Sequence, residues 1–188
     1  MIQKHIISLP NPSLQRPSQR IAVIDDEIKQ LAERMMEITL DWEDHRPHEF
    51  GVAMAAIQIG RPQRLIVVRN SFDNKGDRSF QVLVNPQISK REGEPVLDTE
   101  GCLSVPDIYG EVPRYPKVRL KALDLEGRPL QLRASGFLAR VLQHEVDHLS
   151  GKLFIDRVKD DKYLKLNREG ELVPLKADEI RNNRFLRH

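Results

Sequence analysis

A chain of 188 residues has the length of one domain and can bury about 70% of its unfolded surface in one core. Its 39% apolar and 31% charged residues describe an ordinary globular protein, which excludes a disordered or membrane-embedded chain. The formal net charge is +2 and the basic residues are scattered, so no clustered patch for nucleic acid is expected.

Cys102 is the one cysteine, so no internal disulfide can form and a reducing compartment is expected. No stretch nears the roughly 18 apolar residues of a membrane span. The opening MIQKHIISLPNPSLQRP lacks the apolar run of about 7–15 residues that marks a secretory signal. The expectation is a cytoplasmic protein with neither a membrane partner nor a specific nucleic-acid partner.

Residues 1–24 read as extended and loop-like, punctuated by Pro10, Pro12 and Pro17. Asp25 or Asp26 can cap a helix running to about Leu40, with Ile28, Leu31, Ala32, Met35 and Met36 on its buried side. A loop follows from Trp42 to about Phe50. RLIVVRN (64–70) and QVLVNPQI (81–88) have the composition of strands. KVRLKALDLEG (117–127) and PLQLRAS (129–135) alternate apolar and polar residues around Glu126-Gly127, the turn of an antiparallel hairpin.

SGFLARVLQHEVDHLSG then reads as a helix that Ser135 can cap and Gly151 can end. Arg140, Gln143, Asp147 and Ser150 form a narrow polar stripe, while Phe137, Leu138, Val141, Leu142 and Leu149 cover the rest. A helix apolar over most of its circumference belongs inside a protein. Strands followed by a buried helix predict an α+β fold, with antiparallel sheets packed around that helix. Residues 1–188 read as one domain, with a charged C-terminal tail over about 159–188 that ends in a short helix near 177–187.

The central helix contains His144-Glu145-Val146-Asp147-His148, an HExxH pattern. Residues four apart share a helical face, so both imidazoles can aim at one metal ion. Glu145 points about 100° from His144 and about 60° from His148, close enough to reach a water on that ion. Two core histidines beside a chance glutamate are the bland alternative, but two unpaired histidines on an apolar helix are costly to bury.

A catalytic metal site needs a third protein ligand. The HExxHxxGxxH pattern of metzincin proteases is followed as far as Gly151, but Phe154 stands where its third histidine belongs. Glu169 and Glu171 lie at the downstream distance used by thermolysin-like proteases, in a polar stretch without helical periodicity. Upstream, Cys102 sits in TEGCLSVP (99–106), where Gly101 permits close backbone approach and Pro106 ends any regular ladder. A thiolate with two imidazoles makes a soft site suited to ferrous iron, zinc, nickel or cobalt.

Taken together, GVAMAAIQ (51–58), EGCLS (100–104) and QHEVDHLSG (143–151) resemble the ordered motifs GΦGΦAAxQ, EGCΦS and QHExDHΦxG of the peptide deformylase family, where Φ is apolar. The resemblance covers residues 51–151. It implies one divalent metal ion, iron(II), held by Cys102, His144 and His148, with Glu145 as general acid/base. It implies that the Gln58 side-chain amide and the Leu103 backbone N–H stabilise an oxyanion. It also implies that Val52, Ala53 and Gly101 lie along the bound substrate, an N-formyl-methionyl nascent peptide, with transient ribosome association. Phe137 and Val141 share the helical stripe of the two histidines and are candidates for a wall of the methionine slot, with plain core packing as the alternative.

Ala53 departs from the pattern, standing where the family carries its second glycine, so a methyl group could crowd the peptide. Arg114 is expected to pair with Glu100 or Asp147 and so orient the ligands. Two rival functions are a zinc endopeptidase, which lacks its third ligand here, and a non-catalytic metal- or peptide-binding relative, which would have no need of Glu145 or Gln58.

Overall fold

The computed structural model describes residues 5–183. Helix α1 (Asp26–Asp44) begins where Asp25 accepts the Ile28 N–H at 3.1 Å, and Asp26 and Glu27 lie in the favourable first turn. Ile28, Leu31, Ala32, Met35 and Ile38 form its buried stripe, whereas Met36 is only half-buried. The helix runs past Leu40 and takes Trp42, Glu43 and Asp44 out of the expected loop. A tertiary partner holds this last turn, because Glu43 is buried against Arg69 and accepts the Gly51 N–H at 2.9 Å.

Five strands form one antiparallel sheet: β1 (Ala53–Ala55), β2 (Leu65–Arg69), β3 (Phe80–Glu92), β6 (Lys117–Leu123) and β7 (Pro129–Ser135), in the order β1-β2-β3-β6-β7. Strand β2 is apolar throughout because both of its faces are covered. Leu65 and Val67 join the cluster of α1, while Ile66 and Val68 join the cluster that includes Ala139, Val141 and Leu142. The hairpin β6–β7 buries Val118, Leu120 and Ala122 and exposes the lysines and arginine between them. Its ends pair as Leu123 with Pro129, so the turn is a five-residue loop in which Gly127 takes φ +79°.

A second sheet has the order β4 (Val96–Cys102), β5 (Val105–Arg114), β8 (Tyr163–Leu166), β9 (Leu172–Pro174). Here the structure corrects two expectations. Pro106 lies inside β5 and does not end the ladder, because the register jumps from Cys102–Val105 to Gly101–Tyr109. Residues 106–108 bulge from that pairing, which is where a strand tolerates a proline. The segment beyond Val158 is not a mere tail. It supplies β8, β9 and a short helix α3 (Ala177–Asn182), and buries Tyr163 and Ile180 against Val112 and Phe154. The expected helix over 177–187 ends with Asn182, and its residues 184–187 lie outside the described ones.

Helix α2 (Gly136–His148) is packed among β1, β3, β5, β6 and β7. Ser135 occupies the N-cap without a side-chain bond, and Gly136 N–H donates instead to Pro116 O at 2.9 Å. Gly151 follows the helix at φ +71°, where a Cβ would stand 2.3 Å from Gln15 O. Two features of α2 differ from expectation. Phe137 is 50% exposed, and the polar stripe Arg140, Gln143 and Asp147 is buried, leaving only Ser150 at the surface.

Candidate metal centre and active site

Cys102 Sγ and one nitrogen each of His144 and His148 lie within 4.8 Å of one another. Among the described residues this is the only such group of metal-binding side chains. The two imidazoles share a face of α2, with ring centroids 5.0 Å apart, and the end of β4 brings Cys102 Sγ to 3.3 Å from His148 Nε2. Glu169 and Glu171 are elsewhere, in the exposed β8–β9 turn, where their backbone N–H groups donate to Asn167.

The buried polar stripe of α2 serves this cluster. Glu100 takes a bidentate pair from Arg114 at 2.8 and 2.9 Å, a third bond from Arg140 at 2.8 Å, and faces His144 Nδ1 at 3.0 Å. A carboxylate can only accept, so Nδ1 carries the proton and Nε2 is left as the donor atom for a cation. Arg114 also reaches Asp147 at 2.5 Å, and Arg157 pairs with Asp147 from the far side. Arg114 therefore pairs with both carboxylates expected for it. The sequence offered Glu100 as a partner for Arg114 but not as the group that faces His144. Two arginines and an aspartate on or near a buried helix called for a buried counter-charge.

Burial raises the Glu100 carboxyl, but its contacts with Arg114 and His144 outweigh this and hold it well below the usual carboxylate range. Burial lowers His144, yet its contacts with Cys102 and Glu100 lift it well above its ordinary value. The point between Cys102 and Glu100 thus favours positive charge. His148 is pushed the other way, chiefly by burial and then by His144 and Arg114, which favours the neutral imidazole that a metal binds. Burial raises Glu145 to about 7. Its Oε2 is buried with no hydrogen-bond partner among the described residues, an expensive arrangement unless something polar comes to meet it. A neutral imidazole, a cation-favouring imidazole, a thiol and an unsatisfied carboxyl fit a catalytic divalent metal and its water.

The cluster opens into a cavity of about 400 Å³. Val52, Ala53 and Gln58 form one side and Gly101, Cys102 and Leu103 the other, with Phe137, Val141, His144 and Glu145 along α2. Every residue expected to touch substrate is therefore brought together, while His148 is fully buried behind them. Gln58 is aimed by its neighbours: its carbonyl accepts the Ala55 N–H at 2.9 Å, and its amide donates to Ser104 Oγ at 3.1 Å and Cys102 Sγ at 3.6 Å. Gly101 has a steric reason, since a Cβ there would lie 2.4 Å from the Tyr109 ring. Ala53 keeps an ordinary strand backbone opposite Val68, so no glycine is required there. Phe137 meets Phe72 edge-on at 5.1 Å, which places it at the cavity rather than in the core. Trp42, Glu49, Tyr109 and Leu172 also line the cavity and carried no motif in the sequence.

Fold and site together define a metal-dependent hydrolase. The model of the polypeptide deformylase family matches residues 3–163. The peptide deformylase of Thermomicrobium roseum is 44% identical over 168 residues, covering 88% of this chain and 91% of that protein. That of Alkalilimnicola ehrlichii is 39% identical and covers 88% of each. Among solved structures, a peptide deformylase from Legionella pneumophila superposes with a TM-score of 0.74 at 37% identity, covering 85% of this chain and 88% of that one. The chain belongs to the polypeptide deformylase family.

Proposed function

We propose that this site removes the formyl group from the N-terminal methionine of new peptides, with Cys102, His144 and His148 as metal ligands. What carries this reading is the convergence of those ligands, the unsatisfied Glu145 carboxyl and the aimed Gln58 amide at the end of one cavity. Iron(II) is the ion the family resemblance implies, and a thiolate-held ferrous site is prone to oxidation. A bound divalent ion supplies Lewis acidity, which lowers the pKa of a water toward neutrality.

The chain's own groups account for the rest. Glu145 accepts a proton from the attacking water and returns it to the departing amine, so formate and a free methionine amine are released. Gln58 Nε2 and the Leu103 N–H meet the negative charge that develops on the formyl oxygen, and one such donor is typically worth about 3–4 kcal/mol. Val52, Ala53 and Gly101 lie along the peptide, between β1 and β4. Each of those strands is at the end of its sheet and has ladder groups to offer. Phe137 and Val141 take the methionine side chain, whose sulfur suits an aromatic edge.

Residues 1–188 act as one catalytic domain in the cytoplasm, and transient ribosome contact supplies the substrate. No helix among the described residues is long and apolar enough to cross a membrane. The deciding experiment is anaerobic purification with metal analysis, followed by formate release from a formyl-methionyl peptide. A deformylase frees formate and leaves the peptide bonds whole. An HExxH endopeptidase cuts the chain, and a non-catalytic relative does neither.

A further inference from the structure

The cavity that opens from the metal cluster is rich in aromatic side chains. The chain's only tryptophan, Trp42, one of its three tyrosines, Tyr109, and three of its six phenylalanines, Phe50, Phe72 and Phe137, line it. At about 400 Å³ the space suits a ligand larger than one residue.

Strand β9 contributes one side chain to this wall, Leu172. Among the described residues, only Phe137 and Leu172 of the large exposed apolar side chains line the cavity, and Leu172 is 41% exposed. Its position follows from the sheet register. Gly101 pairs with Tyr109, Tyr109 with Leu164, and Leu166 with Leu172. Directly paired residues share a face, as do residues two apart, so these five lie on one side of the sheet. The other side carries Tyr163, buried against Phe154. The β8–β9 turn is also seated. Gly170, at φ +83°, approaches His48 so closely that a Cβ would stand 2.7 Å from the ring. The hairpin thus rests on the segment that gives His48, Glu49 and Phe50 to the cavity. Leu172 lies beyond residue 163, where the family match ends.

We propose that Leu172 is a specificity-determining residue, giving this chain a preference for an apolar side chain at a position following the formylated methionine. The inference rests on the deformylase reading of the cavity. A half-exposed leucine in a three-residue edge strand has little core packing to lose, and its exposed surface faces the space a longer peptide would enter.

The test uses the metal-loaded protein and formyl-Met-Ser-Ser, with leucine or glutamate placed at the second or third position. The wild type should prefer leucine at one of these positions by about three- to tenfold in kcat/KM. In Leu172→Ser that preference should fall to within twofold. In Leu172→Lys the favoured residue should change from leucine to glutamate. A wild type indifferent to leucine, or a preference that survives both substitutions, overturns the proposal. So does unfolding of both variants in thermal melts, since Leu172 would then be structural. Absence of formate release from every peptide by the wild type would instead sink the reading of the site itself.

Discussion

His144 Nδ1 stands 3.0 Å from Glu100 Oε2, and this contact turns the other ring nitrogen toward Cys102 and His148. The same carboxylate balances Arg114 and Arg140, so one side chain orients the His144 ring and neutralises two buried cations. Glu100→Gln should weaken metal affinity by about 10–100-fold. It should also destabilise the fold by about 3 kcal/mol or more, because the arginines lose their counter-charge. Chelator competition and thermal melting report the two effects separately. Metal affinity within threefold of wild type would show that Glu100 does not orient the site.

Glu145→Gln should keep the metal and lose turnover by about 10²–10⁴-fold, since an amide cannot accept the proton. Metal content and formate release, measured on one preparation, decide the matter. Activity retained within tenfold would assign the base elsewhere.

Removing the metal with a chelator should abolish formate release and lower the melting temperature. Both should return when a divalent ion is added back. Cys102→Ser should hold the ion more weakly or select a harder one, because a hydroxyl is a poor partner for a soft metal. Unchanged metal identity and affinity in that variant would remove Cys102 from the ligand set.

Ala53→Gly tests the one departure from the family pattern. Ala53 is 4% exposed in β1 and borders the cavity. If its methyl crowds the peptide, glycine should lower KM by an amount worth about 1 kcal/mol or less, because glycine also loosens the strand. The chemical step should hardly change, as no ligand, base or oxyanion donor is touched. A large loss of kcat would mean that substrate lies differently here.

The parts legible in the sequence were those whose signal is local. His144, Glu145 and His148 follow from spacing on one helix, and β6 and β7 from alternation. Cys102 was a candidate third ligand as the one cysteine upstream of that helix, and the order of the three motifs singled it out; Gln58 was assigned through those motifs alone. The second sheet was illegible for a physical reason. Strands β4 and β5 carry Glu100, Arg114 and two glycines, and a buried ion pair breaks the alternation of polar and apolar residues that marks a strand. Its β8–β9 half pairs with residues some fifty positions upstream, which no local pattern reports. Arg140 and Asp147 were visible as a polar stripe, but their partners Glu100, Arg114 and Arg157 were needed to show that the stripe faces inward.

The cavity lies between β1 and β4, two strands that each have an open side. An open sheet edge invites any extended chain, including a second copy of the same protein, and proteins guard such edges against aggregation. Here the guard is brevity. Strand β1 is three residues long and turns at once into a 3₁₀ helix, and the register of β4 breaks between Gly101 and Cys102. A visiting strand can therefore form only a few ladder bonds before the scaffold bends away. That protects the fold from adhesive pairing, and an extended chain that docked on such an edge would be held by too few ladder bonds to be trapped.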